Sequence, residues 1–533
     1  MKFDIEGAFP FSSFNPGQRE AIEAIVEAYL SGVKHIVVEA PTGVGKSAIA
    51  YTVHKVLASL NDWHRTTVIT GTKGLQDQYV SEHGDMYDLK GKNNYSCIIG
   101  DFSYNSPKCK SAIANNKCST TNCPYVSRRD HWLNRADLRL TNASFVIKAP
   151  ATLIASDTTR TKLLIIDECH ELPTHLINHA AAKIDVSDLK TSLSTYGDAL
   201  NEQLKVVFNL FKKVPISTAF RLCDVDKDGK VGEFYNKAAA VLSGINSRIE
   251  KGDTSNVLHV IAEELNTLVG SLSTFVNQVT SEWILTEFKY GSVLEAKPVY
   301  AKQVSKAGVF SKANQFVHMS ATICGYEAYC KNLGIPLDEA KFISVPNPIP
   351  VEHRSIKLVG SVNVNKNVDI KLLAKEIDAI IAKHDKLENG VIHTVSFKLA
   401  QDIVQASKYK SRMLISNDRK EIMNAMSTPS GTILLSPSVE TGYDFKGDLA
   451  RWQILAKVPY GFIGDPFVKL NMSRDPVWYA RQAILRMVQA SGRVTRGISD
   501  YGVTYIVDSN ATRLIIDNDT IFPDWYLDAI DIS

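Results

Sequence analysis

Cysteine is scarce in this chain, eight residues among 533, yet Cys97, Cys109, Cys118 and Cys123 fall within one short polar stretch. Long apolar runs are missing: none without charge approaches the roughly 18 residues a membrane-spanning helix needs. At the N-terminus, MKFDIEGAFPFSSF carries Asp4 and Glu6 where a signal peptide requires an apolar core. These absences lead to the expectation of a cytoplasmic protein with no membrane partner. Thiols stay reduced in that compartment, so a local cysteine cluster points to metal binding or catalysis before disulfides. Charge of one sign is also missing, because 60 Lys and Arg against 57 Asp and Glu leave +3, which neither demands nor excludes a polyanionic partner. No internal repeat, low-complexity linker or spare carboxylate cluster of a nuclease is evident. What is present, 44% hydrophobic and 22% charged residues, suits a multidomain globular protein.

Local charge says more than net charge. Residues 86–137 hold eight Lys and Arg against four Asp, with Tyr87, Tyr95, Phe102, Tyr104, Tyr125 and Trp132 interspersed. Such a mixture suits a surface that follows a phosphate backbone and stacks bases, and equally a solvated loop-rich insert.

HIVVEAPTGVGKSAIAYTVHKVL reads as a buried strand, a turn rich in Pro and Gly, and a helix from about Lys46. In APTGVGKS, Gly43 and Gly45 let backbone N–H groups converge on phosphate oxygens, Lys46 can reach the β and γ phosphates, and Ser47 can ligate magnesium. The helix N-terminus adds a favourable dipole. KLLIIDECHEL is a second strand ending in two carboxylates. Asp167 is suited to the magnesium ion and Glu168 to orienting and deprotonating the attacking water. Together these two stretches specify a nucleotide hydrolase.

Four more stretches narrow the class: TVITGTKGLQDQY (67–79), VHMSAT (317–322), SPSVETGYDFKGD (436–448) with Glu440, Gly442 and Asp444, and QASGRVTRG (489–497) with Gln489, Arg493 and Arg496. The arginines are three apart, a spacing that predicts one helix face. In order and spacing the chain resembles a superfamily 2 helicase along nearly its whole length. That resemblance implies that Arg493 and Arg496 reach across a cleft to the γ phosphate. It implies that Ser320, Ala321 and Thr322 link the phosphate site to the nucleic-acid groove, and that Gly442 and Asp444 contribute to the nucleotide site. FNPGQREAI resembles the start of the family's Q-motif, with Gln18 as an adenine contact and Asn15 where relatives often have Arg.

The cysteine stretch lies between the 67–79 element and the Asp167 strand. GKNNYSC followed by two spaced cysteines and CPY resembles the insert of XPD and DinG helicases, which holds a four-iron, four-sulfur cluster. The gaps of eleven, eight and four residues suit such a cluster better than the short C-x2-C pairs of structural zinc, and zinc remains the alternative. Cys169, Cys223, Cys324 and Cys330 are scattered and read as structural. His175 and His179 stand four apart and read as a helix-surface pair, since HELPTH is not HExxH and a Pro interrupts it. Asp224–Tyr235 begins like a calcium loop but has Tyr at position twelve, so it reads as a solvated acidic turn.

The resemblance implies two RecA-like parallel-sheet motor domains, an α/β fold with ATP between them. Motor domain one would comprise 1–85, 138–175 and 296–345, interrupted by an iron-sulfur insert at 86–137 and a helical Arch-like insert at 176–295; motor domain two would be 346–533. The expected activity is ATP-dependent unwinding by a monomeric motor on single-stranded and forked duplex DNA, 5′ to 3′ by resemblance alone, in repair, replication or recombination. The alternative is a DNA-stimulated ATPase that remodels protein-DNA complexes or serves as a switch.

Overall fold

The computed structural model describes residues 3–531 except 62–63, 101–103, 105–108, 110–111, 114–117, 119–121, 155–159, 186–218, 221–228, 252–255, 281, 289–292 and 438–444. Two seven-stranded sheets carry the chain, and every strand pair in them is parallel. Their central strands read as continuous apolar runs because helices cover both faces. The buried HIVVE, TKLLIID, GVIH and WQIL segments are of this kind.

The first sheet runs Ala340–Ser344, His35–Glu39, Ala313–Ser320, Thr161–Asp167, Thr66–Thr70, Leu138–Asn142, Tyr87–Asp88. Register matters for the site. Glu39 pairs with Ser320, and Met319 pairs with Asp167, so the phosphate loop, the Ser320 turn and the acidic pair all leave the same carboxyl edge. Ligands of open parallel sheets bind outside that edge.

The second sheet runs Met413–Ile415, Ile433–Ser436, Gly390–His393, Trp452–Leu455, Val503–Asp508, Ile356–Val362, Ile530–Asp531. Trp452 is fully buried, and its ring lies where a Cβ on Gly390 would be, 2.1 Å from Cζ2, so a side chain at 390 has no room. In this sheet GVIHTVSF forms strand Gly390–His393 and leads into helix Phe397–Ala406, capped by Ser396.

The two expected inserts differ in character. Helix Pro124–Asn134 packs with Leu89 and Tyr125 into a small core, and Trp132 Nε1 donates to Leu140 O at 3.0 Å, tying the cysteine stretch to the first sheet. In the second insert, helices Lys230–Glu250 and Asn256–Asn277 agree with the helical pattern. With them stands a four-stranded antiparallel sheet, Ala182–Asp185, Val293–Pro298, Trp283–Phe288, Ala219–Phe220, which the helical expectation did not include. Phe234, Leu265, Leu272, Phe275 and Trp283 form its shared core. Within the expected helical insert, the stretch LKTSLSTYGDALNEQLKVVFNLFKKV (189–214) lies outside the described residues. So do Cys223 and residues 224–228 of the calcium-like turn, whose residues 230–235 are not a solvated turn but the start of helix Lys230–Glu250.

Candidate nucleotide site and cysteine cavity

The phosphate loop forms as its composition requires. Helix Lys46–Leu60 starts directly after a turn in which Gly43 and Gly45 have φ of 89° and 85°, a left-handed conformation that glycine adopts without a Cβ clash. A Cβ on Gly45 would also stand 2.7 Å from Gln18 Nε2. Asn15 Nδ2 donates to Gly43 O at 2.9 Å, Gln18 Nε2 donates to Gly45 O at 3.2 Å, and Gln18 Oε1 accepts the Asn15 N–H at 2.9 Å. Gln18 is buried with both ends of its amide engaged, so it braces the loop from behind. The cleft cavity described below is lined without it. Asn15, the departure from the family pattern, shares that bracing.

Lys46 Nζ lies 3.3 Å from Glu168 Oε1. Burial opposes the Lys46 charge, but Glu168 and then Asp167 outweigh it and raise its pKa. The two carboxylates diverge. Asp167 accepts from Tyr79 Oη and from the Glu168 N–H, both at 3.0 Å; burial, then the adjacent Glu168 charge, push its carboxyl up. Burial also opposes ionisation of Glu168, yet Lys46, with Arg493 and Arg496, holds it low. Glu168 also has a φ of 54°. For a residue with a side chain that left-handed conformation costs about 1–3 kcal/mol, a kind of strain that concentrates at functional positions. Ser47 Oγ donates to Glu82 Oε2 at 2.7 Å.

A cavity of about 570 Å³ lies between the two sheets, a volume in the range of ligand pockets. Thr42, Glu168 and His170 line it from the first half; Gln489, Arg493 and Arg496 line it from the second. The halves touch, since a Cβ on Gly492 would lie 3.5 Å from Thr42 Oγ1 and one on Gly43 3.5 Å from Arg496 O. His170 bridges them, with Nδ1 2.8 Å from Ser320 Oγ and Nε2 2.5 Å from Gln489 Nε2. Burial lowers its pKa, leaving a neutral ring that accepts from the Gln489 amide and donates to Ser320, the tautomer assigned from its partners.

One expectation is corrected here. Gln489 is helical, but helix Pro476–Ser491 ends at Gly492, and Arg493 and Arg496 follow it in a turn. Val494 between them is buried with Val391 and Leu434. Arg493 O accepts the Phe445 N–H at 3.1 Å, and the Arg496 N–H donates to Asp500 Oδ2 at 3.0 Å. Packing of this turn, and not helical spacing, delivers both arginines to the cleft. Glu440, Gly442 and Asp444 lie outside the described residues.

Cys97, Cys109, Cys118 and Cys123 line one small cavity together with Tyr95, Tyr104 and Tyr125. Desolvation and the nearness of the other three sulfurs push the Cys118 thiol above its usual value. Cys123 sits at the N-cap of helix Pro124–Asn134. Among the described residues no group of three or more His, Cys, Asp or Glu side chains is already drawn close enough to hold a metal ion. Four thiols lining one largely apolar cavity are a donor set of the kind that iron-sulfur clusters use.

The Helicase C-terminal domain family matches residues 381–525, and the family described as Type III restriction enzyme, res subunit, matches 12–195. ATP-dependent DNA helicase YoaA of Haemophilus influenzae is 22% identical across 94% of this chain and 92% of its own length. 3'-5' exonuclease DinG of Staphylococcus epidermidis is 24% identical over 45% of this chain, and the match spans only 32% of that protein. In fold, an XPD helicase superposes with a TM-score of 0.64 at 14% identity, covering 97% of this chain and 98% of that one. S. tokodaii Xpd4 gives 0.60 at 14% identity, covering 96% and 99%. In sequence and fold the chain is similar to XPD/DinG-like superfamily 2 helicases.

Sequence reasoning missed Tyr79, whose hydroxyl donates to Asp167, and Glu82, which accepts from Ser47. Both lie on helix Lys73–Glu82, whose partners come from other elements and leave no local signature. His175 and His179 are half-buried. Both residues share helix Leu172–Ala180, with Pro173 tolerated in its first turn. They have separate partners: His175 Nε2 is 3.4 Å from Glu171 Oε2, and His179 Nε2 is 2.8 Å from Ser144 Oγ. Cys169, Cys324 and Cys330 are buried core residues.

Proposed function

We propose that this chain is an ATP-dependent DNA helicase that moves along single-stranded DNA and splits forked duplexes. Its motor domain one takes in 1–85, 138–175 and 296–345, and its motor domain two 346–533. A cluster insert occupies 86–137, and an Arch-like insert occupies 176–295, its last strand running on to Pro298. The observation that carries this reading is the meeting of Glu168 with Arg493 and Arg496 across one cleft cavity.

In this reading ATP rests its phosphates on the N–H groups of the Gly43–Ser47 loop, and Lys46 leaves Glu168 to reach the β and γ oxygens. Glu168 is ionised and strained beside the cavity. Once the surrounding cations turn to phosphate, its carboxylate gains basicity and can orient and deprotonate the attacking water. Arg493 and Arg496 stabilise charge on the transferring phosphoryl group, and Gln489 reports the closed cleft to His170 and Ser320. Ser47 and Asp167 would hold magnesium, whose charge offsets that of the phosphates. The residues fit it: Asp167 is a buried carboxylate beside a second one, and Ser47 already binds a carboxylate oxygen. Release of phosphate loosens the arginine contacts and reopens the cleft, so each turnover shifts one motor domain along the strand. Polarity of 5′ to 3′ follows from family resemblance.

Cys97, Cys109, Cys118 and Cys123 would hold a four-iron, four-sulfur cluster as a structural staple of the insert that meets the duplex junction. The reading is tested by phosphate release with and without an unstructured oligonucleotide. Stimulation of about tenfold is expected, a coupling ordinary for linked sites. An ATPase rate that no DNA changes contradicts it.

A further inference from the structure

Glu39 ends the strand that feeds the phosphate loop, yet its side chain turns away from the phosphates. It is buried, and its Oε1 accepts the Ile323 N–H at 2.7 Å; the Cys324 N–H also donates to this carboxylate. Burial pushes its pKa up while those two donors pull the other way. A buried carboxylate kept in place by backbone donors fixes the geometry of what it holds.

What it holds is the turn after Ser320–Thr322. There Cys324 has a φ of 53°, a left-handed conformation unfavourable for a residue with a side chain, followed by Gly325 at 101°. Without a restraint such a turn relaxes. It has consequences on both sides. Ser320 Oγ accepts the Thr322 N–H at 3.2 Å and contacts His170, which contacts Gln489. Cys324, although carried by the first half, packs in the core of the second with Ile484, Met487 and Val488. Those three lie on helix Pro476–Ser491, whose end leads into Arg493.

We infer that Glu39 is a positioning residue: it latches the 322–325 turn to the phosphate-loop strand and thereby sets the helix that delivers Arg493 and Arg496 to the cleft. Its carboxylate takes its backbone donors from Ile323 and Cys324. The inference rests on the ATP-hydrolysing cleft proposed above, but its direct test does not require activity.

The test uses the full chain with Glu39→Met, which keeps bulk and burial but removes the acceptor, and Glu39→Gln, which keeps one acceptor oxygen. Alkylation of Cys324 by N-ethylmaleimide is followed by peptide mass spectrometry, with the buried Cys330 as internal reference. Cys324 in Glu39→Met should react about tenfold faster relative to Cys330 than in the wild type, with Glu39→Gln close to wild type. In parallel, kcat for ATP should fall about tenfold in Glu39→Met with KM changed less than about twofold, since arginine placement acts on the transition state. Unchanged Cys324 protection overturns the latch. So do equal defects in both variants, or equal exposure of both cysteines, which makes Glu39 a general stabiliser. A wild type without ATPase activity refutes the function proposed above and leaves the labelling result to stand on its own.

Discussion

Lys46→Ala lowers ATP hydrolysis by about 10³-fold or more, roughly 4 kcal/mol of transition-state stabilisation, while single-stranded DNA binding and the unfolding temperature stay near wild type. The size of the effect follows from position. Lys46 begins the loop helix and is the foremost of the cations that hold Glu168 low. Its removal takes charge from the developing phosphoryl group and also leaves Asp167 and Glu168 buried side by side without their amine. The fold survives because the loop is braced through Asn15, Gln18 and the glycine backbone, none of which uses the amine. Phosphate release and thermal unfolding on the same preparation check both halves, and retained turnover rules out the phosphate-loop assignment.

Cys118→Ser has the second large effect. Purified wild type is expected to be brown with about four irons per chain. The variant should lose that absorbance and unwind about 10–100-fold more slowly, the range for damage to a metal shell. ATP hydrolysis should change far less, because the cysteine cavity lies on the insert and shares no lining residue with the cleft. The insert's own core, built on Trp132 and Tyr125, is too small to replace four cross-linked sulfurs. A colourless wild type with stoichiometric zinc instead overturns the iron assignment.

Legibility of this chain in its sequence depended on how local each signal was. The phosphate loop was readable because strand, glycines, lysine and helix are consecutive, and Gly43 and Gly45 took the left-handed conformations their identity allows. The DECH strand was readable for the same reason. The four cysteines were read as one site although the longest gap between them is eleven residues, because placement between two motor elements supplied the context that spacing did not. Helical spacing misled at Arg493 and Arg496. Gly492 ends the helix and burial of Val494 sets the turn, so a packing contact overrode a local periodicity. The antiparallel sheet beside helices Lys230–Glu250 and Asn256–Asn277 was missed because its partners, such as Ala182 and Ala296, are more than a hundred residues apart. Glu39, Tyr79 and Glu82 were invisible for a related reason: each acts on a residue delivered by another element, and only the register of the first sheet brings them together.

The central claim is that closure of this cleft drives the chain along one DNA strand with enough force to part a duplex. Strand displacement on two substrates that differ only in bearing a 5′ or a 3′ single-stranded tail tests it directly. The account predicts ATP-dependent displacement of the 5′-tailed duplex, little from the 3′-tailed one, and none from either with Lys46→Ala. Displacement of neither duplex by a wild type that hydrolyses ATP contradicts the helicase claim.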